Sequence, residues 1–291
     1  MSTLLPGTQT SILYGGLTFG SIDDNGVMWR VQSGGFVGWG SPDSTIEVQP
    51  KPRQRGAWSG DAFSQERYLT VTLLLRAPSP ALLNQALEQL SAAVDFAEQP
   101  MVVTEAGFTR TVYVRRKGGV EPNKINSWMA APTFQVVADD PRKFWTPLVQ
   151  STGLPSSRGG LVIPAGGLVI PAGGLTIPAQ VVSGQIEMFN PGNETGPVRL
   201  RVDGPISGPQ ISHVGSGLTL TFASSLVMGS GEWLDIDMEK HTVLANGQAS
   251  RSKFITSRQW FGLEPGDNTF SFAAASGTTG QLTVTGIPAS R

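Results

Sequence analysis

Few residues in this 291-residue chain have types and spacings suited to chemistry. It has two histidines, His213 and His241, and no cysteine. Neither histidine has a second one at ligand spacing, so no zinc site is expected. Disulfides, thiolate ligands and cysteine nucleophiles are excluded. Serines are plentiful, but no Gly-x-Ser-x-Gly elbow exposes one as a nucleophile. The densest acidic cluster is Asp235, Asp237 and Glu239, which strand period puts on one face, with Leu234, Ile236 and Met238 on the other. A strand lacks the curled loop that gathers carboxylates around calcium, so the outer face of a sheet is the simpler account. Asp139-Asp140-Pro141 reads as a turn rather than an acid–base pair. Trp233 and Trp260 offer faces for stacking on sugars, and core packing is the competing account. The glycine-rich stretch 34–40 has a phosphate-loop look without the Gly-Lys-Ser/Thr ending or a following helix. Nothing assembles a nucleophile, base and orienter, so no enzyme and no cofactor are expected.

The elements that would position these residues are mostly strands. Hydrophobic residues make up 39% and charged residues only 15%, with 36 glycines and 21 prolines, a turn-rich composition typical of many short strands. In the first half, Ile12–Tyr14 and Leu17–Phe19 flank Gly15-Gly16 as a hairpin. Val27–Gln32 and Thr45–Gln49 follow as strands, and Pro50–Trp58 reads as a solvated loop. Tyr68–Arg76 alternates cleanly, with Leu69, Val71, Leu73 and Leu75 on one face. Ser79 caps a helix with Pro80 at its first position, running to about Glu98 on one apolar stripe. A second hairpin, Met101–Arg116, turns at Glu105–Gly107, and Met129–Val137 is a further strand. The first half is thus α+β with one helix.

Three heptads, Gly159–Ala165, Gly166–Ala172 and Gly173–Ala179, separate the halves. Their Gly-Gly pairs and prolines exclude helix and coiled coil. They read as an extended linker, with an edge hairpin as the alternative. Short strands then recur from Val198 to Thr285 at the spacing of a β-sandwich, with Asn246-Gly247 as a hairpin turn. The expected domains are therefore 1–150, with a helix over 79–98, a linker at 151–180, and 181–291. Net charge is −1 and evenly spread, with 13 basic and 13 acidic residues in 1–150 and 8 and 9 beyond. That argues against tight nucleic-acid binding. Neither a signal peptide nor an apolar run of membrane-spanning length is present, so a soluble chain made in a cytoplasm is expected, without membrane insertion.

The ordered set of motifs resembles the distal tail proteins of long-tailed, non-contractile bacteriophages, particularly the minor tail proteins of phages of actinobacterial hosts. In the first half the resemblance rests on Tyr68–Arg76, the Ser79-Pro80 helix and the ending Val136–Arg142. In the second it rests on Phe189–Asn193, Pro197–Pro205, Gly231–Asp237, Val243–Gly247 and Leu263–Asn268. It implies a mainly β fold: an N-terminal α+β domain similar to tail-tube proteins and a C-terminal galectin-like β-sandwich. It also implies a homohexameric ring in the virion tail tip, joining the tail-tube protein to the tip hub protein. DNA and tape-measure protein would pass through the lumen as transient cargo. Under this resemblance the hairpin Met101–Arg116 contributes to the ring or its lumen, with Arg110, Arg115, Arg116 and Lys117 as candidates. The alternative is a host-attachment module whose sandwich binds a cell-surface glycan through Trp233 and Trp260.

Overall fold

A computed structural model describes residues 3–4, 10–158, 180–182, 184–277 and 279–291. The chain divides into two compact units, with the boundary at Thr146/Pro147. The first is built from strands β1 (Thr10–Tyr14), β2 (Leu17–Phe19), β3 (Met28–Val37), β4 (Ser44–Pro50), β5 (Ala57–Ser64) and β6 (Arg67–Arg76). Helix α1 (Pro80–Ala93) follows, then β7 (Gln99–Glu105), β8 (Phe108–Glu121) and β9 (Thr133–Ala138).

The antiparallel sheet of the first unit runs β3-β6-β9-β8-β7-β1-β2, extended beyond β3 by short strands at 21–22 and 3–4. It curls so that its two ends share one core. Phe19 of β2 packs on Trp29 of β3 and on Phe134 of β9, with ring centroids 6.0 Å apart in both pairs, and Tyr14 stacks on Phe134 at 6.2 Å. The alternation of β6 delivers Leu69, Val71, Leu73 and Leu75 to this core, and each is fully buried. Burial of that kind contributes about 1.5–3 kcal/mol per side chain. Helix α1 adds Leu83, Ala86 and Leu90 from its apolar stripe. The Ser79 hydroxyl accepts from the Leu82 amide at 3.2 Å, and Pro80 occupies the first turn.

The helix ends five residues before the expected Glu98. Val94 leaves helical geometry with ψ near 83° and buries its side chain, and Asp95 and Phe96 turn the chain towards Gln99, where β7 begins. The glycine-rich stretch also differs from expectation, because β3 continues through it to Val37 with a bulge between Val31 and Phe36. Glycine is required there. A Cβ on Gly38 would lie 1.8 Å from the Tyr68 carbonyl oxygen, and its φ is +92°. A β5 strand stands where the sequence reading has none, and Pro50–Trp58 forms the end of the β4–β5 hairpin, not a free loop.

The second unit is a two-sheet sandwich. One sheet orders β10 (Leu148–Gly153), β19 (Gln281–Gly286), β12 (Val198–Asp203), β15 (Trp233–Asp237) and β16 (Thr242–Ala245). The other orders β11 (Gln185–Asn190), β18 (Gly266–Ser276), β13 (Ile206–His213), β14 (Leu218–Phe222) and β17 (Ile255–Arg258). Their inner faces meet in a single core that includes Leu200, Ile211, Leu234, Phe270, Phe272 and Val284. Two buried asparagines tie its loops. Asn190 donates to the Glu194 and Leu263 carbonyls, and Asn268 donates to those of Glu264 and Gly266. Ser252–Phe254 is a 3₁₀ turn ahead of β17, not strand. The fold is mainly β throughout, an α+β unit followed by a sandwich.

The second unit begins before the heptads, since β10 pairs along its whole length with β19. The heptads at 159–179 lie outside the described residues. The strands bracketing them, Ser156–Arg158 and Gln180–Val182, pair antiparallel with Arg158 opposite Gln180. The described residues on both sides of 159–179 thus belong to the second unit.

Candidate functional site

The β4–β5 hairpin stands apart from the sheet of its own unit. All seven residues of β4 and all eight of β5 are exposed. Register puts Ile46 and Val48 on one face of the arm, and Trp58 and Phe63, opposite Gln49 and Thr45, on the other. A bulge between Ile46 and Val48 twists it. Its tip carries Lys51, Arg53 and Arg55, with the Lys51 ammonium 5.9 Å from the centre of the Trp58 ring.

At the root of the arm lies an open groove of about 770 Å³, between Thr45 and Ser64 of the hairpin and Tyr68, Arg115, Lys117 and Asp139 of the sheet. Its charges are internally matched. Arg115 pairs with Asp139 at 2.9 Å, and Lys117 sits 3.5 Å from the centre of the Tyr68 ring. The Tyr68 hydroxyl donates to Glu66 at 2.5 Å, which holds that carboxyl below its ordinary pKa. Of the four cations expected to act together, only Arg115 and Lys117 meet here. All four lie on β8, but strand period turns Arg110 and Arg116 to the other face. Arg110 lies over Trp145 at 5.1 Å and Phe108 at 5.8 Å, and Arg116 lies over Phe96 at 5.1 Å while donating to the Gly118 carbonyl.

Two cations that the sequence reading missed are buried. Arg67, 1% exposed, donates from Nε to the Pro141 carbonyl and from Nη1 to those of Gly38 and Gly40. It thereby staples the end of the glycine-rich stretch to the Pro141 turn. Lys143 donates to the Trp39 carbonyl at 3.0 Å, and its ammonium is pushed down to about 8, first by burial and then by Arg67 and Arg110. Burial also lowers the pKa of Arg67. The period-2 pattern of β6 was the available signal, since it extends one step past Leu69 to a position where arginine faces the core.

In the second unit the aromatic candidates are partly covered. Arg201 lies 4.6 Å from the centre of the Trp233 ring, and Trp233 Nε1 donates to Asp235 at 2.9 Å. Trp260 stacks on His241 at 4.7 Å. The two tryptophans do not form one platform, because Trp233 opens β15 and His241 follows the end of that strand. Of the acidic cluster, Asp235 and Asp237 share the outer face of β15. Glu239 belongs to the next turn, where its amide donates to Asp237. The buried His213 accepts at Nδ1 from Ser216 at 2.7 Å and donates from Nε2 to Asn268 Oδ1 at 3.0 Å. That tautomer is assigned from the network, since the same Oδ1 also accepts the Glu264 amide. Asp140 chelates Arg142, so the Asp139-Asp140 pair is committed to separate arginines. Among the described residues no cluster of three His, Cys, Asp or Glu could hold a metal ion, and no helix is long and apolar enough to cross a membrane.

Residues 192–285 match the family described as siphovirus-type tail component, C-terminal domain. The crystal structure of the SPP1 Dit protein, titled a paradigm of the hub adsorption apparatus in phages infecting Gram-positive bacteria, superposes with a TM-score of 0.63 at 11% identity. The match covers 96% of this chain and 98% of that one. A chain of the phage P2 baseplate in its activated, calcium-bound conformation matches at a TM-score of 0.48 and 10% identity, covering 96% and 97%. No curated protein matches in sequence. The second unit is thus similar to the C-terminal domain of siphovirus tail components, and the chain as a whole carries the fold of a phage Dit protein.

Proposed function

We propose that the chain is a structural subunit of a bacteriophage tail tip. Six copies form a ring through the first domain, joining the tail tube to the tip hub around the channel for DNA and tape-measure protein. The observation that carries this reading is the arm. A two-stranded hairpin is marginal in water on its own, and this one exposes Trp58 and Phe63 on one face and Ile46 and Val48 on the other. A wedge that is apolar on both sides fits between two surfaces, as a heterologous contact repeated around a ring supplies. Arg115 and Lys117, at the root of the arm, then act at the subunit contact. Arg110 and Arg116, on the opposite face of β8, do not.

The outer face of β6 and β9 supports the channel. On it Thr70, Thr72, Thr133 and Gln135 form a neutral polar patch joined by hydrogen bonds of 3.1 and 3.3 Å, bordered by Arg76 of β6 and by Lys117 opposite Gln135. A neutral patch of this kind gives DNA no phosphate anchor of its own, because phosphate affinity depends on neutralising cations. The chain is made in the host cytoplasm and carried in the virion, and the sequence resemblance adds an actinobacterial host. The test is immunogold labelling of virions with antibody to this chain. Label at the distal end of the tail is expected, and label on the capsid or along the whole tail would overturn the assignment.

A further inference from the structure

We propose that the outer face of the β10–β16 sheet binds a neutral, hydroxyl-rich saccharide in the groove over β12 and β15. The sheet register builds the site. Thr285 of β19, Arg199 of β12 and Asp237 of β15 stand side by side, and two residues along, Thr283, Arg201 and Asp235 repeat the order. Neighbours within a rung are about 4.8 Å apart and the rungs about 6.6 Å apart. Together with Lys240 they line an open groove of about 530 Å³.

Each rung offers a hydroxyl that donates and accepts, a guanidinium that only donates and a carboxylate that only accepts. Adjacent sugar hydroxyls need that combination, since each presents one proton and two lone pairs. The charges argue against a polyanion. Arg199, Arg201 and Lys240 are balanced by Asp235 and Asp237 in the groove and Asp203 beside it, to which Arg201 donates at 2.8 and 3.0 Å.

The groups are also held in place before any ligand arrives. Asp237 Oδ1 accepts the amides of Glu239 and Lys240 at 3.1 and 2.9 Å. Trp233 supports Arg201 with its ring and fixes Asp235 with its Nε1. In this arrangement Trp233 is a positioning residue rather than the stacking platform that its sequence context suggests. Arg199 is the adjustable contact. Its side chain is 67% exposed and its Nε lies 3.4 Å from Asp237.

The experiment probes the purified full chain on an array of bacterial surface oligosaccharides, neutral and acidic, followed by calorimetric titration of the best neutral binder. Mass is followed in parallel, so that a failure to form rings and a failure to bind sugar are read separately. Binding to neutral oligosaccharides is expected. Arg199→Ala, at an exposed position that leaves the fold intact, should weaken it about tenfold, the size of one lost charge-assisted hydrogen bond, and Thr283→Val, which removes a neutral hydroxyl held by Ser151 at 2.8 Å, should weaken it less. Trp233→Phe, which keeps a ring under Arg201 but removes the donor to Asp235, should weaken it without abolishing it. Absence of any bound glycan, binding confined to phosphorylated or sulfated glycans, or equal binding by wild type and Arg199→Ala would overturn the proposal.

Discussion

The first domain contains two hairpins of similar size with opposite fates. Strands β7 and β8 turn through Ala106-Gly107, both with positive φ, and send Met101, Val103, Val112 and Val114 into the core. Strands β4 and β5 bury nothing, although they carry Ile46, Val48, Trp58 and Phe63. The difference lies in what each apolar side chain faces. Along β7–β8 the alternation gathers Met101, Val103, Val112 and Val114 in the middle of one face, which can then seal a core. Along β4–β5 the bulge and the split of apolar residues between two faces leave neither side able to do so. The first hairpin is therefore part of the fold, whereas the second keeps its apolar side chains exposed.

Substitutions should separate the two. Trp58→Ser combined with Phe63→Ser should abolish ring assembly while changing the stability of the isolated chain by less than about 0.5 kcal/mol. Light scattering and thermal melting together check this, and a large drop in melting temperature would show that the arm belongs to the core after all. Met101→Ala should do the reverse, costing about 3 kcal/mol of stability while rings still form at temperatures where the chain stays folded. Arg115→Glu with Lys117→Glu, at the arm's root, should impair assembly. Their stability effect should stay within about 1 kcal/mol, because the Arg115–Asp139 pair is exposed.

The last effect concerns pH and belongs to the core rather than the arm. The pKa of Lys143 falls from 10.5 to about 8 on folding. From pH 8 towards pH 10 the unfolded chain keeps a proton that the folded chain releases, so stability rises with pH in that window. Above pH 10 Tyr14, pushed up to about 12 by burial, acts with the opposite sign, because its unfolded form ionises first. The melting temperature should therefore rise from pH 8 to 10, and Lys143→Met should flatten that rise. A wild type whose melting temperature falls steadily across the window would contradict this placement of Lys143.

Much of the scaffold was legible because strands with one buried face announce themselves. The alternation of β6, the cap at Ser79 and the turn at Asn246-Gly247 each rest on local rules that tertiary contacts do not override. What escaped was set by distant partners. Nothing near Arg67 in sequence reveals that Gly38, Gly40 and Pro141 will offer it carbonyls. Strand β5 escaped because Ala-Trp-Ser-Gly-Asp-Ala-Phe-Ser has no single apolar face. Grouping Arg110, Arg115, Arg116 and Lys117 by proximity in sequence ignored the period of two that divides them. On β15 the same period does place Asp235 and Asp237 together, but only the register with β12 reveals the arginines between them and the threonines.

The central claim is that the exposed arm closes identical subunits into a ring. The most direct test is negative-stain microscopy of the concentrated full chain, paired with its mass by light scattering. The account predicts closed rings with a central hole and a mass of about 185 kDa, six copies of a 30.8 kDa chain, reverting to single chains when Trp58 and Phe63 are replaced by serine. A wild-type chain that remains monomeric, even when supplied with tail-tube ends as a template, would contradict it.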